Sequence, residues 1–223
     1  MPLVVQQVEQ TDLQDAIEVQ DAAFGTTSNI QRVIYPNGTT EYARAHMLKG
    51  CQASLNDKRS TCYKIVDTDA NDRMVAWIDW KTFKDQPDDE WNKEAEPNYT
   101  EAHPDVNLDF RCMLSCGLTN LRRKYIKGKA RVRIGRLTTH PEYHRRGAGK
   151  KLLDKCAEHA DRLQLPIFLE ASPFAASWYI RQAFGPIDGA VMEIDMKPFG
   201  YGEIHKTFMM KRAAKPVMES ATF

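Results

Sequence analysis

An α/β fold, with seven strands interleaved with helices, is what this 223-residue sequence predicts, and three observations predict it. Short β-forming runs alternate with helical segments along the whole chain. Two of those runs face each other across a polar turn, as an antiparallel hairpin requires. A third enters a glycine-bearing turn that opens an amphipathic helix. At 25.5 kDa the chain suits one well-cored domain spanning residues 1–223 better than two small ones.

Taken in order, Leu3 to Val8 is a short apolar run that ends near a plausible helix cap at Thr11 and Asp12. Leu13, Ala16 and Ile17 then supply a helical apolar face. After the polar turn at Pro36, Asn37 and Gly38, the composition of Glu41 to Gln52 favours a second helix. Cys62 to Val66 and Met74 to Phe83 read as the hairpin, with Asp67 to Arg73 as its turn. That turn starts like a calcium-binding loop, but Asp72 stands where such a loop needs glycine, and Ile78 where it needs the bidentate glutamate. A hairpin turn is the better reading.

Asp85 to Asp105 is acidic, aperiodic and proline-bearing, the mark of a polar insertion within a domain. Leu108 to Tyr125 is helical, and Arg122, Arg123 and Lys124 fall where cations complement the helix dipole. Cys112 and Cys116 lie four apart on it with His103 nearby, a spacing better explained by two half-buried thiols than by zinc. Ala130 to Thr139 is a long strand. The helix from Gly149 to Leu163 follows, then the buried strand Pro166 to Ala171, a helix from Phe174 to Phe184, and strands at Ala190 to Met196 and Glu203 to Met210.

Thirty-one basic residues against 30 acidic ones leave no strong overall field, which argues against nucleic-acid or anionic-membrane partners. The N-terminal MPLVVQQVEQ has neither a cationic leader nor a long apolar core, and no run approaches a membrane span. Five cysteines without CxxC spacing suit reduced thiols. A cytoplasmic protein, monomeric or homodimeric, is expected.

The basic signal is local. In RLTTHPEYHRRGAGKK, from Arg136 to Lys151, a strand runs into a turn with Gly147 and Gly149, surrounded by Arg145, Arg146, Lys150 and Lys151. A strand end, close-approach glycines and the unpaired N–H groups of a helix start together make a polyphosphate cradle. Neither GxGxxG nor GxxxxGK[ST] is met.

HRRGAG resembles the Q/R-x-x-G-x-G/A loop of the GCN5-related N-acetyltransferases, with His144 in the Gln/Arg position. WYIRQAF resembles the family's LYEKxGF, with Tyr179 on the tyrosine, Phe184 on the phenylalanine and Ala183 replacing the usual glycine. THPEYHRRGAG, LPIFLEASP and VAWIDW resemble a subgroup of that family widespread in fungi. The resemblance implies a GNAT-type α/β (α+β) fold, whose central sheet of about seven strands is mixed, mostly antiparallel and twisted. It also implies acetyl-CoA as co-substrate, with no metal. The backbone of Arg145 to Lys150, hence Arg145, Arg146, Gly147, Ala148, Gly149 and Lys150, would cradle the pyrophosphate beside His144. The strand at Leu137, Thr138 and Thr139 would pair with the pantetheine arm, and Ser172 and Tyr179 would also contact the cofactor.

Acetyl transfer to an amine needs a held thioester, a neutral amine, donors for the developing oxyanion and a proton for the leaving thiolate. Tyr179 would give that proton, since a phenol holds its proton more tightly than a thiol. Glu170 and Asp79 are the candidate bases, and His140, as His-Pro at a strand end, either serves as a base or shapes the turn. No cysteine motif argues for a covalent intermediate, so direct transfer in a ternary complex to a small-molecule primary amine is expected. A protein acceptor and a non-catalytic acyl-CoA-sensing module are the alternatives. Tyr35, Trp77, Trp80 and Trp91 hint at a partly apolar acceptor, and the acidic insertion at attraction of a cation.

Overall fold

A strongly β-forming run, rich in branched and aromatic residues, becomes β3 (Arg73–Phe83) in the interior of the sheet, paired antiparallel with β2 (Ser60–Asp67). Asn71 and Asp72 turn the hairpin at φ of 51° and 55°, a left-handed conformation that these two residue types tolerate. Asp72, the residue that excludes a calcium loop, is thus a working turn residue. The computed structural model describes residues 2–25, 28–87 and 103–216.

Among the described residues the elements are β1 (Leu3–Gln7), α1 (Leu13–Phe24), α2 (Asn29–Ile34), α3 (Glu41–Asn56), β2, β3, α4 (Leu108–Tyr125) and β4 (Arg131–Thr139). After these come α5 (Ala148–Arg162), β5 (Ile167–Ala171), α6 (Pro173–Ile180), β6 (Gly185–Asp195) and β7 (Ile204–Arg212). The seven strands form one sheet in the order β1-β2-β3-β4-β5-β7-β6, antiparallel except where β4 meets β5. This is the mixed, mostly antiparallel sheet flanked by helices that the family resemblance implies.

Three differences have local causes. Helix α2 is only six residues long, too short to show a helical period, and is recognisable by the Ser28 hydroxyl that accepts from the Gln31 N–H at 3.3 Å. Strand β6 begins at Gly185 and not near Ala190, because its register against β7 jumps between Pro186 and Val191 and breaks the alternation. Cys116 is exposed, while Cys112 is half-buried as expected. Most of the acidic insertion, and Trp91 with it, lies outside the described residues. Its start is tied back to the sheet, where the Asp85 carboxylate accepts from the Ala130 N–H at 2.7 Å. No helix among the described residues is long and apolar enough to cross a membrane.

Helices α5 and α6 cover one face of the sheet, where Ile78, Trp80, Ile134, Leu152, Leu169 and Tyr179 share an apolar cluster. Helices α1 and α3 cover the other face over Met74 and Trp77. Two irregularities in β4 then decide the chemistry of the middle of the sheet. Asp79 pairs with Arg136 but the next residue, Trp80, pairs with Ile134, so Gly135 is an extra residue bulged out of β4. A Cβ there would lie 2.9 Å from the Asp79 carboxylate, so only glycine lets the strand pass. The second irregularity is the parallel contact with β5, which holds at only two positions, Val132 with Ile167 and Arg133 with Phe168. Beyond them the strands part, and the backbone from Ile134 to Thr139 faces an open edge on the β5 side.

Candidate functional site

The glycine turn is built by the strand end before it. His140 caps a short turn at Pro141–Tyr143, its ring accepting from the Glu142 N–H at 3.4 Å and meeting Arg73 at 3.1 Å. Burial and the Arg73 charge both push the His140 imidazole below its usual range. The Tyr143 hydroxyl donates to buried Asp67 at 2.9 Å and anchors the loop to β2. His144 turns its ring onto the Thr139 carbonyl at 3.1 Å, which ties the loop to the strand end by a bond that Gln or Arg would make by donating.

Arg145 at φ 63° and Gly147 at φ 85° bring the chain round to the start of α5. Gly147 is the N-cap, and no side chain caps the helix and no acidic residue occupies its first turn. The first N–H groups of α5 therefore point outward unsatisfied, with the positive end of the helix dipole behind them. Gly149 eases the close approach of the turn to the strand, since a Cβ there would sit a tight 3.2 Å from the Thr139 hydroxyl. The cations divide. Arg145 is exposed at the loop and Arg146 lies over the Tyr143 ring at 4.8 Å, whereas Lys150 pairs with Asp154 at 2.5 Å and Lys151 reaches away to the Leu3 carbonyl at 2.8 Å. This cradle fits a pyrophosphate, and the open edge at Leu137, Thr138 and Thr139 beside it fits an extended amide-bearing arm.

Tyr179 owes its position to the end of α6. The Phe184 N–H donates to the Tyr179 carbonyl and the Ala183 N–H to that of Ile180, both at 3.1 Å, which is a Schellman ending. Phe184 then packs on the Tyr179 ring with centroids 5.5 Å apart. Ala183, where the family pattern has glycine, holds the left-handed φ of 66° that this ending demands. Ala183→Gly is accordingly expected to raise stability by about 0.5–1 kcal/mol, read as a higher denaturant midpoint at constant slope; an unchanged or lower midpoint would show that the alanine is unstrained. Burial pushes the Tyr179 phenol well above its ordinary range, with a smaller contribution from Cys156, and its hydroxyl has no hydrogen-bond partner among the described residues. Ser172 caps α6, its hydroxyl accepting from the Ala175 N–H at 3.3 Å.

The two carboxylates named in the sequence lie on the opposite face from α5, and both are engaged. Asp79, 3% exposed, accepts from Arg136 Nε at 3.1 Å and Nη2 at 3.3 Å, and from the Ser54 hydroxyl of α3 at 2.6 Å. Arg136 continues to Cys51 at 3.2 Å and lies over the Trp77 ring. Glu170 accepts from Arg122 Nε of α4 at 2.7 Å. Burial pushes the Glu170 carboxyl up, but the Arg122 guanidinium, together with the Arg133 charge and a backbone hydrogen bond, holds the group below the usual carboxylate range. Around the bulge, a cleft of about 290 Å³ is lined by Ser54, Asp79, Lys81, Arg133, Gly135 and Arg136. Gly50 and Ala53, small residues on α3, leave its outer wall open.

Sequence reasoning did not find Arg133. The aromatic hint at the acceptor is corrected. Trp77 and Trp80 are each 1% exposed and on opposite faces of the sheet, the Trp77 indole donating to the Ala16 carbonyl at 2.9 Å, and Tyr35 is likewise buried. They are core residues. Among the described residues no group of three or more histidine, cysteine or acidic side chains is placed to hold a metal ion.

Residues 117–205 match the family model described as the acetyltransferase (GNAT) domain. The polyamine N-acetyltransferase of Drosophila melanogaster superposes with a TM-score of 0.66 at 12% identity, over 95% of this chain and 100% of that one. A mosquito arylalkylamine N-acetyltransferase-like protein gives 0.63 at 13% identity, with 95% and 100% covered. The ribosomal-protein-S18-alanine N-acetyltransferase of Escherichia coli gives 0.53 at 14%, with all of both chains covered. At such identities the likeness is one of fold. No curated protein matches the sequence significantly. The matched stretch contains the bulged strand, the uncapped helix start and Tyr179, so over these residues the chain is similar to the acetyltransferase (GNAT) domain, and its fold is that of solved N-acetyltransferases.

Proposed function

We propose that this protein is a cytoplasmic enzyme that moves the acetyl group of acetyl-CoA to a primary amine of a small molecule, by direct transfer in a ternary complex. The reading treats residues 1–223 as one catalytic domain. The observation that carries it is the uncapped start of α5 standing beside the unpaired edge of β4. In this reading the N–H groups from Arg145 to Lys150 hold the pyrophosphate, with Arg145 and Arg146 supplying charge and His144 fixing the loop. Leu137, Thr138 and Thr139 hold the pantetheine arm with backbone groups, and one N–H of that strand faces the thioester carbonyl. The co-substrate supplies an activated acyl carbon.

This chain's residues orient that carbon and manage protons. Tyr179 keeps its phenol protonated and gives the proton to the departing sulfur. Glu170 and Asp79 are better suited to positioning than to proton abstraction: the first is held ionised by Arg122, and the second already accepts three hydrogen bonds. Neither carboxylate is the base in this reading, and the amine loses its proton to water. Ser172 bounds the cofactor channel as the cap of α6.

The volume of the cleft, at the lower end of the roughly 300–1,000 Å³ typical of ligand sites, favours a small acceptor over a peptide. Among the solved relatives, those titled for a polyamine and an arylalkylamine superpose better than the one titled for a ribosomal-protein alanine, which points the same way. The two departures that could suggest a non-catalytic module do not disturb the site: Ala183 adopts the glycine conformation, and His144 bonds the strand end. Thiol release from acetyl-CoA, followed over a panel of primary amines, is expected to exceed the amine-free rate at least tenfold with some acceptor. Tight acetyl-CoA binding without release for any amine would overturn the reading in favour of a sensing module.

A further inference from the structure

We propose that the cleft between α3 and the paired strands β3 and β4 binds the acceptor, and that Arg133 selects acceptors carrying a carboxylate as well as the amine. This rests on the acetyltransferase reading above and adds the chemical class of the substrate.

The argument is one of unequal pairing. Among the described residues, every carboxylate around the cleft already has a cation. Asp57 serves both Lys81 at 2.8 Å and Arg59 at 2.9 Å, Asp79 serves Arg136, and Glu170 serves Arg122. Four cations therefore share three carboxylates, and a fifth stands beside them. Arg133 is the one left over: among the described residues nothing accepts a hydrogen bond from its guanidinium, and no carboxylate lies within ion-pair distance. Its environment works against its charge, first by burial and then by repulsion from Arg122, while Glu170 and Asp79 each favour the charge by less. A guanidinium does not escape such a position by losing its proton. An anion brought in from the cleft would satisfy it, and a carboxylate matches its fork of donors with two parallel hydrogen bonds.

The ligand in question is not the nucleotide. The pyrophosphate cradle belongs to α5, which packs on the opposite face of the sheet, over Ile78, Trp80 and Ile134. Nor does the cleft suit a polyamine, since a second cation would meet the surplus positive charge. There is room for a ligand on the open side, where a Cβ on Gly50 would touch nothing within 4 Å. Arg133 and Leu137 are four positions apart on β4, roughly 13 Å at about 3.3 Å per residue. A long side chain at 133 spans only part of that distance. Both short and long separations of amine from carboxylate therefore belong in the test.

The test measures thiol release from acetyl-CoA with matched acceptors: α-amino acids and ω-amino acids, each beside its amide and its decarboxylated amine. Wild-type protein is expected to prefer the carboxylate member of at least one set by about 10- to 100-fold in kcat/KM, the range that one charged hydrogen-bonded contact supplies. Arg133→Gln should bring that ratio close to one, and Arg133→Lys should keep part of it. Equal or better turnover of amides and plain amines by the wild type overturns the inference and leaves the acetyltransferase reading standing. So does Arg133→Gln with a lowered melting temperature and an intact preference, which would assign the residue to the fold. Release with no acceptor of any class, despite acetyl-CoA binding by calorimetry, overturns the underlying reading and the inference with it.

Discussion

Tyr179→Phe is expected to lower kcat about 100-fold while acetyl-CoA affinity stays within about twofold, the loss that removal of one well-placed proton donor brings. The substitution is conservative in packing. The ring contacts with Trp178 and Phe184 are made by carbon atoms, and the Schellman ending that aims the residue depends on backbone groups alone. Only the hydroxyl is lost. The sign of the pH dependence follows from burial, which raises the phenol above its ordinary range. A raised value keeps the proton-bearing form dominant throughout neutral and moderately alkaline solution, so wild-type kcat should show no loss attributable to this group below about pH 10. Steady-state kinetics across pH 6–10, with calorimetric titration of acetyl-CoA, check both parts. A kcat within twofold of wild type would remove Tyr179 from the proton path.

Asp79→Ala carries the largest expected change in stability, a loss of about 3 kcal/mol. Asp79 is almost fully buried and takes three hydrogen bonds, from Arg136 and Ser54, that link β3, β4 and α3. Removing it strands the Arg136 guanidinium over Trp77 with only Cys51 to meet it. The exposure of Arg136, 27% at the side chain, argues for the lower end of the effect seen when a buried pair is broken. For a chain of this length that corresponds to a fall in melting temperature of roughly 6–12 °C by calorimetry. The double variant Asp79→Leu with Arg136→Met should recover much of it, because the cost lies in the unpaired charge. A melting temperature within 2 °C of wild type for Asp79→Ala would show that solvent reaches Arg136 freely.

The order of strands and helices was legible in the sequence because most elements are long enough to show a period, and the glycine turn because its residues act through backbone geometry. His144 and Ala183 look like departures in one dimension. In three, each supplies what its position requires: a bond to the Thr139 carbonyl and a left-handed φ. The same sequence reading failed for the tryptophans, because composition does not say which face of a strand looks into a cleft. Trp77 and Trp80 are both in β3, three residues apart, and both are core.

What the chain determined by itself, then, is the fold class, the glycine turn before α5 and the tyrosine after β5. These depend on local propensity and on groups a few residues apart. What only the tertiary structure decided is the character of the cleft. Strict alternation along β4 would place Arg133 and Arg136 on opposite faces, since side chains repeat every two residues. The extra residue at Gly135 shifts that parity, so both guanidiniums face α3, and a carboxylate on the neighbouring strand takes one of them. A bulge is a property of two strands in register, and no count along one strand reveals it.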